Sequence, residues 1–324
     1  MFCPFGHESR PVRGWQCALG GILDRWDEEV PSRRVGRLRA RMGRDAARGE
    51  KNVVKLVFVD MDDTFLSPDK TISEENLRIL DVAHERGVQF VPCTGRNATG
   101  LPRQLVEHPC VQYAVCCNGA IICEAKTGRV LSEVDIERDV VRSLYADVRE
   151  LPITFDVFAD GRVYTASDRW HVMEEMGVPP QDLAQIVSVR TRFEGTVDQI
   201  IEQVGEIYRV NVFYLSEADA AAVHRAVDAR PELTHSRSLA CNVEITNLRA
   251  VKGYGVRWLA EHLGVPIEDT IAFGDSDNDL TMLEVAGDGV AMANANERCL
   301  AVADHVALSS AESGVARYLE PLLL

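Results

Sequence analysis

The chain has 324 residues, 46% of them hydrophobic and 26% charged, with a net charge of −15. That length holds one large domain or two ordinary ones, with apolar material enough for a sizeable core. The acidic balance argues against nonspecific binding to nucleic acid or to an anionic membrane surface, and no apolar run approaches the ~20 residues of a membrane span.

Residues 1–50 stand apart, with ten arginines and no lysine. The run PSRRVGRLRARMGRDAARGE reads as part of a disordered extension, or as sequence preceding a true start at Met42. The rival reading is a basic arm that binds a partner. The apolar stretch CALGGIL is too short for a secretory signal and is followed at once by Asp24, Arg25 and Asp27. Nine cysteines, an odd number with several inside apolar runs, suggest reduced thiols and a cytoplasmic protein. No CxxC pair is present to favour zinc, and the spacing of Cys3, His7 and Cys17 matches no standard site.

From Lys51 strands and helices alternate. VVKLVFVD predicts a buried strand, and TISEENLRILDVAHERG a helix capped by Ser73 and stopped by Gly87. VQFVPCT predicts the next strand, then a helix through Leu101 and Leu105, then the strand VQYAVCC. Near-continuous apolar strands separated by helices imply a doubly wound parallel sheet covered on both faces. The binding crevice of such a sheet lies at the carboxyl ends of its strands, where Asp60, Thr94 and Asn118 fall.

After Ala120 the pattern changes. IICEAKTGRVLSEVDI predicts a hairpin turning at Lys126–Gly128. Further strands are expected near ITFDVFA, RVYTA, QIVSVR and YRVNVFYL, with helices near Asp139–Glu150, Thr196–Gly205 and Glu217–Ala229. The expected organisation is a core over 51–123 and 241–324 and a second α/β domain over 124–240. The core resumes with the helix AVKGYGVRWLAEHLG, the strand TIAFGD, a helix from Asp277, the strand GVAMA and a last helix.

Four constellations carry the chemistry. Asp60-x-Asp62-x-Thr64 stands at a strand end, where both carboxylates and a backbone carbonyl can surround one cation. All-oxygen ligation suits Mg²⁺. By itself the motif is equally a solvated acidic turn. GDSDNDL places Asp275 at another strand end, with Asp279 four residues on; helix capping explains Asp277 but not the whole cluster. Thr94, Gly95 and Arg96 offer a hydroxyl and backbone N–H groups suited to phosphate. Lys252, near a helix start, can offset the charge of the carboxylates.

In this order the four resemble the haloacid dehalogenase-like superfamily of aspartate-nucleophile phosphatases. DMDDTFL, TGR, CNGA, KG, GDSDND and GVAMANA narrow the resemblance to the Cof-type hydrolases. The resemblance implies a Rossmann-like core with an inserted α/β cap, acting on a small phosphorylated metabolite, a sugar phosphate or a phosphorylated cofactor. It implies Asp60 as nucleophile, Asp62 as acid and base, and Thr94 and Lys252 as phosphoryl holders. Gly95, Arg96, Asn118, Gly119 and Asn278 would shape the substrate pocket. Mg²⁺ would be held by Asp60, the Asp62 carbonyl and Asp275, with Asp279 or Asn278 in support. Asp63 stands where the wider superfamily often has glycine. The alternatives are a sugar phosphotransferase or phosphomutase on the same fold, and a receiver-type phospho-signalling module.

Overall fold

A computed structural model describes residues 54–324. The arginine-rich extension, Met42 and the Cys3–His7–Cys17 group lie outside the described residues.

β1 (Leu56–Val59) is buried throughout, and β2 (Gln89–Pro92) runs parallel to it. The helix Glu74–Glu85 connects them. Ser73 Oγ caps it by accepting from Asn76 N at 3.2 Å, and its inner residues Ile79, Leu80 and Ala83 pack with Val57 and Phe90. The apolar period of the sequence is thus the face that the sheet needs.

β3 (Tyr113–Cys116) runs parallel beside β2, as expected, through the bridge of Cys93 to Val115, and also forms an antiparallel three-stranded sheet with β4 (Ile121–Glu124) and β5 (Val130–Glu133). An apolar run does not encode a strand's partners, so periodicity alone could not foresee the second pairing.

The second sheet has six strands in the order β10-β11-β9-β6-β7-β8. These are β6 (Asp156–Ala159), β7 (Arg162–Ala166), β8 (Thr191–Phe193), β9 (Arg209–Phe213), β10 (Leu233–Ser236) and β11 (Asn242–Asn247). One face packs Val157, Val210, Val212 and Ile245 against helical residues such as Leu144 and Ile200. The alternate residues Asp156, Arg209, Asn211, Asn242 and Glu244 point to the other face, and all are buried.

Three expectations need correction here. QIVSVR is not a strand: the helix Pro180–Ser188 covers most of it, and β8 begins at Thr191. Pro180 in the first turn starts the helix, and the β-branched residues near its end follow it. β11, placed by the sequence in the resumed core from residue 241, pairs antiparallel with β9 and β10. The expected hairpin of β4 and β5 forms, but β5, placed by the sequence in the second domain, belongs with β3 and not with the six-stranded sheet.

The first sheet is completed by β12 (Thr270–Gly274), β13 (Asp288–Ala291) and β14 (His305–Val306), giving the order β14-β13-β12-β1-β2, all parallel. The helix Gly314–Leu323 packs on Glu74–Glu85 over one face, and the helices Lys252–His262 and Leu280–Val285 pack together. Asp60 and Asp275 follow directly on the neighbouring central strands β1 and β12.

Candidate active site at the strand tips

β1 hands over to a tight turn, Met61–Phe65. Phe65 N donates to Asp60 O at 3.2 Å and Leu66 N to Met61 O at 2.8 Å, while Met61 and Phe65 are buried in the core. The apolar members anchor the turn, and the acids between them are left at the sheet edge. Asp63 has φ +57°, a left-handed conformation that Asp tolerates and β-branched residues do not. The same geometry accounts for glycine as the common alternative at this position.

The two acidic motifs converge on one lysine. Lys252 is fully buried, and its Nζ donates to Asp60 Oδ1 at 2.5 Å and to Asp279 Oδ1 at 2.6 Å. The other oxygen of Asp279 accepts from the backbone N–H groups of Asp275 and Ser276, at 2.9 and 3.0 Å. Asp275 Oδ1 accepts from Thr64 Oγ1 at 2.7 Å, tying the first motif to the last. Carboxylate oxygens of Asp60, Asp275 and Asp279 lie within 4.8 Å of one another.

Three carboxylates share this buried space with one ammonium. Burial pushes the Asp60 carboxyl well up; Lys252 opposes this, and Asp279 and Asp275 add to it. Burial and Asp279 push Asp275 up to about 6. Burial alone would lower Lys252, but Asp279 and Asp60 outweigh it and hold the lysine protonated. A hard divalent cation fits this donor set, which is all oxygen and carries more negative charge than Lys252 neutralises. Asp60 and Asp275 are the side chains best suited to hold it, because Asp279 already serves Lys252 and the loop backbone.

Asp62 is on the same turn but not in the cluster. Arg96 grips it bidentately, Nε to Oδ2 at 2.9 Å and NH2 to Oδ1 at 2.6 Å, and Lys70 Nζ lies 3.4 Å from Oδ1. Burial would raise its pKa, but the hydrogen bonds and charge of Arg96, with Lys70, bring it below the usual carboxylate range. Arg96, expected at the phosphate pocket, is therefore a partner of Asp62; its NH1 also donates to Gly100 O at 3.0 Å.

The remaining expected residues form two adjoining loops. Buried Thr94 accepts from Arg96 N at 3.1 Å through Oγ1, and its carbonyl accepts from Asn118 N at 3.0 Å. Cys117, Asn118 and Gly119 all have positive φ, at +50°, +58° and +102°. Such a run is costly and persists only where its surroundings hold it. A Cβ on Gly119 would lie 2.2 Å from Val251 O, so no other residue fits beside the Lys252 helix. Asn278 joins the group through Nδ2, which donates to Asn118 Oδ1 at 3.2 Å.

Sequence reasoning missed Lys70, Arg209 and Glu244. Lys70 is an ordinary surface residue to a sequence reader. Glu244 left one signal, an acid at an inward position of the apolar run NVEIT.

A family model described as haloacid dehalogenase-like hydrolase matches residues 57–319. YxeH of Bacillus subtilis (strain 168) is 32% identical over 283 residues, spanning 83% of this chain and 98% of its own length. YitU of the same organism, named as the 5-amino-6-(5-phospho-D-ribitylamino)uracil phosphatase, is 30% identical over 278 residues, spanning 82% and 96%. The solved structure of a haloacid dehalogenase-like hydrolase from B. subtilis superposes with a TM-score of 0.72 at 26% identity, covering 82% of this chain and 99% of that one. The chain therefore belongs to the haloacid dehalogenase-like superfamily, among its Cof-type hydrolases and as a phosphoric monoester hydrolase.

Proposed function

We propose that the chain is a Mg²⁺-dependent phosphatase that hydrolyses small phosphorylated metabolites through an aspartyl-phosphate on Asp60. The observation that carries this reading is the convergence of Asp60 and Asp279 on buried Lys252 at the tips of parallel strands, with Asp275 within 4.8 Å of both carboxylates.

Asp60 attacks phosphorus, the bond to the leaving oxygen breaks, and water later cleaves the aspartyl-phosphate to regenerate the carboxylate. Lys252 and Thr94 hold the non-bridging oxygens of the transferring group. Asp279 keeps Lys252 in place and braces the Asp275 loop. Asp60, Asp275 and the backbone carbonyl of Asp62 would hold the cation. When bound, the cation supplies the positive charge that lets an anionic nucleophile approach an anionic phosphate.

Asp62 moves protons, to the leaving oxygen first and from the attacking water second. Held by Arg96 it is a deprotonated carboxylate, so Arg96 must release it before it can donate. Incoming phosphate, which a guanidinium also binds well, is the natural competitor for Arg96. Gly95, Asn118, Gly119 and Asn278 shape the pocket. The six-stranded sheet acts as a cap that encloses the leaving group. Sugar phosphates and phosphorylated cofactors are the substrate class, a reading supported by the ribitylamino-uracil phosphatase among the relatives. Seven described cysteines, all free thiols, agree with a cytoplasmic enzyme, and no described helix is long and apolar enough to cross a membrane.

The test is release of phosphate from p-nitrophenyl phosphate and a panel of phosphometabolites by the purified chain. Turnover that EDTA removes and Mg²⁺ restores is expected. Full turnover in metal-free buffer, or wild-type rates in Asp60→Asn, would overturn the mechanism.

A further inference from the structure

The ion pair of Arg209 and Glu244 takes no part in the steps above, yet it joins the six-stranded sheet to the phosphate loops. The two residues stand on neighbouring strands, β9 and β11, with side chains only 7% and 3% exposed. Arg209 NH2 donates to Glu244 Oε1 at 2.5 Å, and its NH1 donates to the carbonyl of Gly95. Glu244 Oε2 accepts from Asn118 Nδ2 at 2.6 Å, and Oε1 also accepts from Ser238 Oγ at 2.7 Å.

Each end of the pair therefore grips one of the loops that flank Thr94. The fit at Gly95 is close: a Cβ there would lie 2.6 Å from the Arg209 guanidinium and 3.0 Å from Asn118 Oδ1. The guanidinium carbon sits 4.3 Å from the Phe158 ring centroid, which fixes its plane. A buried ion pair is a poor source of net stability, because desolvation offsets its attraction. Its value here is geometric. The Cys117–Gly119 backbone is in a conformation it would not keep unaided, and Glu244 holds it by the Asn118 amide.

We infer that Arg209 and Glu244 are positioning residues that set the Gly95 and Asn118 loops in the geometry that receives phosphate. Closure of the six-stranded sheet and completion of the phosphate pocket are then one event, because the groups that hold the loops arrive with that sheet. The inference rests on the phosphatase reading. It adds two residues, neither of which touches the reacting atoms.

The test compares the parent chain with Arg209→Lys, Glu244→Gln and the double variant Arg209→Met with Glu244→Gln. Each is assayed with p-nitrophenyl phosphate and Mg²⁺, with inorganic phosphate as inhibitor, and melted by circular dichroism. The conservative variants keep their fold, lose about tenfold or more in kcat, and change KM by much less, the pattern of misplaced transition-state contacts. Inhibition by inorganic phosphate weakens in parallel. Arg209→Lys retains charge but cannot reach both Glu244 and Gly95, so it is also impaired. The double variant removes both charges and so avoids leaving either one buried alone. An active parent whose folded variants stay within about twofold in kcat would overturn the inference alone. A lowered melting point with unchanged kcat per folded molecule would do the same, since it marks a merely structural pair. A parent chain with no turnover on any phosphate ester would overturn the phosphatase reading, and this inference with it.

Discussion

Lys252 places its ammonium 2.5 Å from Asp60 Oδ1 with no exposure to solvent. The nucleophile of the proposed reaction thus carries its own counter-ion before any substrate arrives. Replacing Lys252 by Met leaves Asp60, Asp275 and Asp279 buried together without a cation. We expect a loss of about 3–5 kcal/mol in metal-free buffer, the usual cost of breaking a buried pair from one side. Mg²⁺ should restore part of the stability, and kcat should stay at least about a hundredfold down because a phosphoryl contact is gone. Thermal melts with and without Mg²⁺ read the first effect and steady-state rates the second. Unchanged melting in EDTA would contradict the charge count at this site.

Asp60→Asn should behave differently. Burial and the neighbouring acids already make the Asp60 charge costly. Removing it abolishes turnover but leaves the metal-free fold close to wild type, because Lys252 keeps Asp279 as partner. Circular dichroism and a phosphatase assay on the same preparation decide this.

Asp63 should be the least demanding of the three acids. Its backbone is left-handed at φ +57°, and its side chain meets Lys70 at 3.2 Å at the surface. Asp63→Gly or Asp63→Asn should keep activity within a few-fold. Asp63→Val should cost about 1–2 kcal/mol through backbone strain. Equal loss of activity at Asp63 and Asp60 would reverse this ranking.

The acid cluster makes metal binding depend on pH. Asp275 is raised to about 6 in the folded chain, above its unfolded value. The metal-free folded state therefore binds the extra proton, and on this account its stability falls as pH rises from about 4 to about 6. Asp62 is lowered, so its contribution is present above the ordinary carboxylate pKa and fades only at more acid pH. Cation binding requires Asp275 deprotonated, so Mg²⁺ should raise the melting point more at about pH 7.5 than at about pH 5.5. Equal shifts at the two values would count against Asp275 as a ligand.

Arg96 should govern the alkaline limb of the rate profile. Arg96→Ala frees Asp62 from its bidentate partner, so the Asp62 pKa rises toward its ordinary value. The alkaline limb of kcat/KM, where Asp62 loses the proton it must donate, should move to higher pH by a measurable fraction of a unit, together with an increase in KM. A profile that shifts in neither direction would show that the Arg96–Asp62 pair does not persist in the working enzyme.

Much of the site was legible because its residues sit where periodic apolar runs stop. Asp60, Thr94 and Asp275 each follow a buried strand, and the end of such a strand is readable from the sequence. Pairing was not fully readable: β3 does run parallel beside β2, but it also joins β4 in an antiparallel pair, because apolar runs are alike in both arrangements. The helix over QIVSVR was missed because β-branched residues at a helix end resemble a strand. β11 was misplaced because its pairing with β9 and β10 depends on partners well before it in the chain.

The amino-acid sequence by itself determined the order of the acidic, threonine and lysine motifs, and with it the superfamily and the chemistry to expect. Those signals are local, carried by a few residues at a strand end. Only the tertiary structure decided the pairing: Asp279 with Lys252 and the backbone, Asp62 with Arg96, and Arg209 and Glu244 with the phosphate loops. Partner choice depends on which oxygens and ammonium groups lose water together. That is set by packing between segments far apart in the chain, 211 residues from Thr64 to Asp275, and no local pattern records it.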